Sequence, residues 1–233
     1  AAGPYGDYVV QSDWSCGQLL QALKSAGHFD NTIVVFTADN GPERYAYPRD
    51  ENLDHWSAYP LRGLKRDIYE GGHRVPFLIR WPGKIEAGSV SDELVSQIDL
   101  METLAAIVGY DLPDDAAEDS YNLLPLLDGE TGVRTSHVHN TRQNQFAIRQ
   151  GDWVLIDAKN GYMSGRNKPW EARRGFPEND DDPQGQLFNL AEDLGQRNNV
   201  IDEHPAKAKE LRSLLTRLKN QGHSAPRLER SDP

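Results

Sequence analysis

Asp39 and Asn40 stand side by side just after a short apolar run, Ile33 to Phe36. A carboxylate and an amide carbonyl are hard oxygen donors, suited to calcium or magnesium rather than to a metal that prefers thiolate. Calcium takes roughly six to eight oxygens, so other parts of the chain, a substrate or water must complete such a shell. An Asn-Gly pair can also be a type I′ hairpin turn with no ligand. Against that, Pro42 follows at once and no alternating strand succeeds it. Lys65 lies between Gly63 and a Glu70-Gly71-Gly72 turn. A lysine is ordinarily a solvated surface residue, but one held in a glycine-flanked loop can neutralise an oxyanion as charge develops. Glu70 reads as structural, ordering its own turn. His55 and Trp56 sit on a long polar and aromatic loop, residues 41–60, where they either line a substrate mouth or bury the loop. His137 and His139 share a face if their segment is a strand, and with no further donors nearby they read as rim histidines rather than a second metal site. The acidic run Glu178, Asp180, Asp181 and Asp182 reads as a solvated loop.

The elements that must position these groups follow from periodicity. Ile33 to Phe36 is continuous, β-branched and flanked by turn residues, as in a strand buried on both faces of a parallel sheet. Ligands in open α/β sheets collect where loops leave such strand ends. Val75 to Trp81 reads as a second buried strand. Tyr5, Tyr8, Val9, Cys16, Leu19, Leu20 and Leu23 fall at helical spacing, predicting an amphipathic helix packed on the sheet, with Cys16 as a small apolar contact. Asp99 with Glu102 fits a capping box ahead of a helix that Gly109 ends. A turn-rich stretch over 111–120 marks a boundary. Beyond it, Phe146 to Arg149 and Trp153 to Ile156 flank a short glycine turn and predict a hairpin. Leu187 to Leu190 adds a strand, and Leu211, Leu214, Leu215 and Leu218 between Pro205 and Gly222 predict a final amphipathic helix. The fold class is therefore α/β: a wound, mostly parallel sheet with flanking helices over residues 1–112. A small α+β subdomain, an antiparallel sheet with a C-terminal helix, occupies 113–233.

The totals narrow the partners. The 233 residues carry a net charge of -11, which argues against nucleic acid, whose binding depends on clustered lysine and arginine. No apolar stretch approaches the roughly 20 residues that span a bilayer, and no signal peptide is visible. The chain opens AAGPYGDY without a methionine, so an upstream targeting segment is compatible with it. A single cysteine excludes an internal disulfide and a multi-thiolate metal site.

Four blocks, TADNG, LRGLKRDIYEGGHRVPFLIRWPG, FAIRQGDWVLI and QLFNLAEDLGQRNNV, together resemble the C-terminal half of a type I sulfatase of the arylsulfatase kind, within the alkaline-phosphatase-like superfold. The resemblance implies that residues 1–112 are the C-terminal part of the catalytic α/β domain. It also implies that Asp39 and Asn40 ligate one calcium ion, completed by ligands outside this chain, and that Lys65 binds a sulfate oxygen. In such enzymes a formylglycine made from a C/S-x-P-x-R segment attacks sulfur. Cys16 is followed by Gly17-Gln18-Leu19 and no such segment occurs here, so the nucleophile is expected in a missing N-terminal half of the same protein. The chain alone is then expected to be inactive. A sulfated small molecule or sulfated glycan is the expected substrate, and secretion or a periplasmic location is expected from the family. Two other readings stay open: a phosphodiester or phosphonate hydrolase of the same superfold, whose two-zinc members place D-H where this chain has Asp39-Asn40, and a non-catalytic fragment that binds a sulfated glycan.

Overall fold

The computed structural model describes residues 2–113, 115–141, 145–163, 165–177 and 180–226. They fall into two compact units, Ala1–Ser89 with 162–178 and Val90–Gly161 with 179–233.

The first unit opens with helix α1, Gly3–Ser25, which has Pro4 in its first turn and ends before Gly27, a left-handed residue at φ 72°. The helix is where the apolar spacing predicts it, but none of its residues is buried, so its expected packing on the sheet is not found. Cys16 is half-buried. Strand β1, Val34–Thr37, pairs with β2, Phe77–Arg80, in antiparallel register from Val34 opposite Arg80 to Thr37 opposite Phe77. The parallel, doubly buried pairing expected of the Ile33 run is thus replaced by a two-stranded antiparallel ribbon. Phe36 and Leu78 face each other across it and are 49% and 58% exposed. Between the strands lie α2, Ala46–Leu53, and a single turn α3, Glu70–His73. The loop expected to be irregular over 41–60 therefore contains a helix.

In the second unit, α4 spans Asp99–Val108 and closes on Gly109 in the left-handed region. Asp99 does not act as a capping-box residue. Its carboxylate accepts the Ser96 and Tyr121 amides at 2.8 and 2.9 Å and pairs with the fully buried Arg134 guanidinium. After the turn α5, Leu124–Leu127, strands β3, Ser136–Asn140, β4, Phe146–Gln150, and β5, Trp153–Asp157, follow in meander order. The β4–β5 turn is Gly151-Asp152, with Gly151 at φ 55°, a two-residue connection that needs positive φ. Helix α6, Lys168–Arg173, belongs to the first unit. Strand β6, Gln186–Asn189, completes the antiparallel sheet β3-β4-β5-β6. Helix α7, Pro205–Gln221, covers it, ending on Gly222 at φ 75°. Ile148, Leu155 and Leu187 of the sheet bury against Ala208, Leu211, Leu215 and Leu218 of α7. Each side chain removed from water in this way contributes about 1.5–3 kcal/mol for a residue of leucine size. This is the small sheet and covering helix that the sequence predicts.

Candidate functional site

The chain leaves β1 into Asp39 and Asn40 and is immediately tied to the lysine loop. The Gly41 amide donates to the Gly72 carbonyl at 2.9 Å, and the Lys65 amide donates to the Pro42 carbonyl at 2.9 Å. These two bonds join the metal candidates and Lys65 through backbone alone. The approach is so close that a Cβ on Gly41 would lie 1.8 Å from the Gly71 carbonyl oxygen. Gly71 and Gly72 are as tight, with a Cβ 2.4 Å from the Gly63 oxygen and 2.0 Å from the Asp67 oxygen. Gly41 is therefore required by its approach to the E-G-G turn, and Gly71 and Gly72 by the packing of that turn on the backbone of residues 62–67, and the Asn-Gly pair does not form a β-hairpin turn.

The lysine sits on a turn closed from both ends. Asp67, 3% exposed, accepts the Leu64 amide on its Oδ2 at 2.9 Å and returns its own amide to the Leu64 carbonyl at 2.8 Å. Its Oδ1 accepts the Met163 amide at 2.7 Å. Arg66, beside the lysine, has φ 79°, an uncommon state for a side chain of that size. It pairs with Glu43 at 3.0 and 3.1 Å. The Arg44 amide and the Arg66 guanidinium hold the Glu43 carboxyl below its ordinary value. Lys65 itself is half-buried. Glu70 is 1% exposed, and its carboxylate meets Arg74 at 3.2 Å and His73 at 3.8 Å, which fits a turn-ordering role.

The donor chemistry of Asp39 and Asn40 fits a hard cation. Asn40 spends its amide nitrogen on the Gly41 carbonyl at 2.9 Å, which leaves the carbonyl oxygen as the outward end of the amide. Asp39 is exposed. Among the described residues no group of three or more His, Cys, Asp or Glu side chains could hold a metal, so these two oxygens could supply part of a shell and not a whole one.

His55 and Trp56 take different places. The His55 ring lies 5.6 Å from Tyr5. Trp56 is edge-on to Tyr59, Trp170 and Phe176 at 5.3, 5.3 and 5.5 Å, in a cluster with Tyr47 and Leu64. Its neighbour Tyr59 is 74% exposed. What holds the loop is Asp50, which has no exposed surface. It accepts Trp170 Nε1 at 2.7 Å, Arg174 Nε at 2.7 Å and Arg173 at 2.9 Å. Burial pushes the Asp50 carboxyl up, and the Arg174 and Trp170 hydrogen bonds outweigh it and hold the carboxyl below its ordinary value. Asp50 and Arg174 are invisible to sequence spacing, since they pair across 124 residues, and so is the Met163 contact of Asp67, 96 residues away.

In the second unit His137 and His139 stack at 5.7 Å. The His137 Nδ1 is buried with no hydrogen-bond partner. Burial, aided by His139 and Arg134, pushes this imidazole down to about 3. Both residues are half-buried, and His137 is the one whose imidazole is held neutral. Asp181 pairs with Lys159 at 3.0 Å and Asp182 accepts the Gln184 amide at 2.8 Å, while Glu178 lies outside the described residues.

Residues 1–110 match the sulfatase family, and residues 64–159 match the C-terminal domain of N-sulphoglucosamine sulphohydrolase. An N-acetylgalactosamine-6-O-sulfatase of Bacteroides thetaiotaomicron is 35% identical over 224 residues, 94% of this chain and 42% of that protein. Human arylsulfatase A is 42% identical over 127 residues, 54% of this chain and 24% of that protein. A solved structure concerned with glycosaminoglycan metabolism by Bacteroides thetaiotaomicron superposes with a TM-score of 0.78 at 34% identity, covering 94% of this chain and 45% of that one. A second, in complex with its substrate D-glucosamine-2-N,6-O-disulfate, gives 0.66 at 26% identity, covering 91% of this chain and 39% of that one. The chain thus spans less than half the length of the relatives it matches. The chain belongs to the sulfatase family.

Proposed function

We propose that the whole protein hydrolyses sulfate esters of a sugar, and that this chain contributes Lys65 to sulfate binding and Asp39 and Asn40 to a calcium site. The observation that carries this reading is the backbone crossing at Gly41 and Pro42, which fixes the loop bearing the two oxygen donors to the loop bearing the lysine. Calcium bound there supplies positive charge where the sulfate oxygens gather electron density. The chain's own residues do the rest of what is assigned here. Lys65 places an ammonium against a sulfate oxygen, and the Asp67 turn holds its backbone in place so that little reorganisation is needed as charge develops. His55 and Trp56 belong to the wall of the substrate mouth, with Trp56 bracing Tyr59 from below. Two of the relatives named above, the N-acetylgalactosamine-6-O-sulfatase and the protein solved with D-glucosamine-2-N,6-O-disulfate, are named for sulfated amino sugars and match over more than nine-tenths of this chain, which favours a sulfated glycan over a small aryl sulfate. Such a substrate fits a secreted or periplasmic protein, and among the described residues no helix is long and apolar enough to cross a membrane.

No C/S-x-P-x-R segment is present in these 233 residues, so the isolated chain binds sulfate but does not turn over an ester. The test is made on the full-length protein with its upstream half. Release of sulfate from a 6-O-sulfated amino sugar is expected, with one calcium per chain, and Lys65→Ala is expected to lower kcat/KM by about a hundredfold or more. Asp39→Ala is expected to lower both the calcium content and the rate. Two equivalents of zinc with phosphodiester turnover would instead identify the sister hydrolase. Unchanged activity in Lys65→Ala would remove the lysine from the site.

A further inference from the structure

We propose a second binding site, for a linear sulfated polysaccharide, on the outward face of α7. The chain as a whole carries a net charge of -11, yet α7, PAKAKELRSLLTRLKNQ, has five basic residues and one acidic. Three of the five are engaged locally. Lys207 pairs with Glu210 at 3.0 Å, Arg212 pairs with Asp157 at 3.1 Å, and Lys219 lies 3.9 Å above the Phe146 ring. Lys209 and Arg217 are exposed and have no hydrogen-bond or ion-pair partner among the described residues.

Both line a shallow groove together with Arg212, Ser213, Thr216 and Asn220. Lys209, Ser213, Thr216 and Asn220 follow the i, i+4, i+7, i+11 spacing of a single helical stripe, opposite the core stripe of Ala208, Leu211, Leu215 and Leu218. Among the described residues no carboxylate lines the groove. Neutral hydroxyl and amide groups therefore alternate with cations, which is the pairing that sugar hydroxyls and sulfate groups require. Lys209 and Arg217 are eight residues apart, about 12 Å along the axis. A single sulfate cannot bridge them, whereas an extended chain with repeated sulfates can. A basic helix face is most often simply solvated. Here the two unengaged cations line one groove, in a protein whose net charge is -11. Among the described residues no aromatic ring lines the groove, so those residues offer nucleobases no stacking surface and nucleic acid is the poorer match.

The site needs no catalysis, so the test uses the 233-residue chain itself. A heparin octasaccharide is titrated into the chain by calorimetry at several salt concentrations. Binding that weakens with salt is expected, and the charge reversal Lys209→Glu with Arg217→Glu is expected to weaken it about tenfold or more. The slope of log affinity against log salt should fall by about one to two in that variant. Lys209→Gln with Arg217→Gln should give a smaller loss in the same direction, and both pairs should keep the parent melting temperature because the positions are exposed. The proposal is overturned if the parent chain does not bind, or if the reversed variant binds equally well. It is also overturned if desulfated octasaccharide, or single-stranded DNA of matched charge, binds as tightly as the sulfated probe.

Discussion

At the residue scale the candidate site depends on glycines that let two loops touch. A methyl group on Gly41 would overlap the Gly71 carbonyl oxygen at 1.8 Å, a contact with backbone that no side-chain rotation relieves. Gly41→Ala must then push the Asp39-Asn40 loop off the E-G-G turn and break the Gly41 to Gly72 hydrogen bond. We expect a loss of about 3 kcal/mol, the upper range for overpacking a closed site, read as a drop in the urea midpoint of the first unit. Gly17→Ala, on an open face of α1 with nothing within 4 Å, is the control and should be neutral or slightly stabilising. An unchanged midpoint for Gly41→Ala would mean that the two loops are not held together as described. Asp67 shows the complementary device. Its two oxygens take one amide from the lysine turn and one from Met163, so backbone donors from two distant segments meet on one buried carboxylate.

At the scale of elements, the edge strand β3 carries a titration that should be measurable. The buried His137 is pushed down to about 3 from an ordinary 6.5, by burial first and by its neighbours His139 and Arg134 second. Below pH 6.5 the unfolded chain takes up a proton that the folded chain refuses, so stability falls as pH drops from about 6.5 towards 3 and is fully present above that window. The slope is at most about 1.4 kcal/mol per pH unit. Replacing His137 with Gln should flatten this dependence between pH 6.5 and 4.5 relative to the parent chain, with the carboxylates common to both proteins cancelling in the difference. Parallel pH profiles for the two proteins would exclude the buried imidazole as the source. The elements themselves were mostly legible in the sequence. Helix α7 and the β4–β5 hairpin announce themselves through leucine spacing and a Gly-Asp turn, because their packing repeats along the chain. The direction in which β1 pairs was not legible, since a short β-branched run looks the same in parallel and antiparallel sheets. Nor could spacing reveal the carboxylate of Asp50 with Arg174 or that of Asp99 with Arg134, whose partners are distant in sequence and fixed only by the fold. Asp39, Asn40 and Lys65 stand out as candidates because a strand end and local glycines mark their loops, whereas Asp67 looks like one more charged loop residue.

At the scale of the whole molecule, the first unit has an apolar surface that its described residues leave open. Helix α1 buries none of its residues, and Tyr8, Val10, Trp14 and Leu19 along it are 63% to 69% exposed. Phe36 and Leu78 add exposed apolar area on the two-stranded ribbon. Monomeric soluble proteins seldom leave apolar area of this kind open unless something docks on it, and a two-stranded ribbon is marginal by itself in water. The family relationship suggests the occupant, because this chain spans 42% of the length of its Bacteroides relative. We therefore expect the upstream half of the protein to lie on α1 and the ribbon. Expressed alone, the 233-residue chain should bind a hydrophobic dye such as ANS and self-associate as its concentration rises. Co-expression with the upstream half should abolish both and protect the α1 amides from hydrogen exchange. Replacing Trp14 and Leu19 with Ser should raise the solubility of the isolated chain while weakening its assembly with the upstream half. A pair of variants that improved solubility with no loss of assembly would show that these side chains face solvent in the complete protein. The ribbon would then have to find its cover elsewhere.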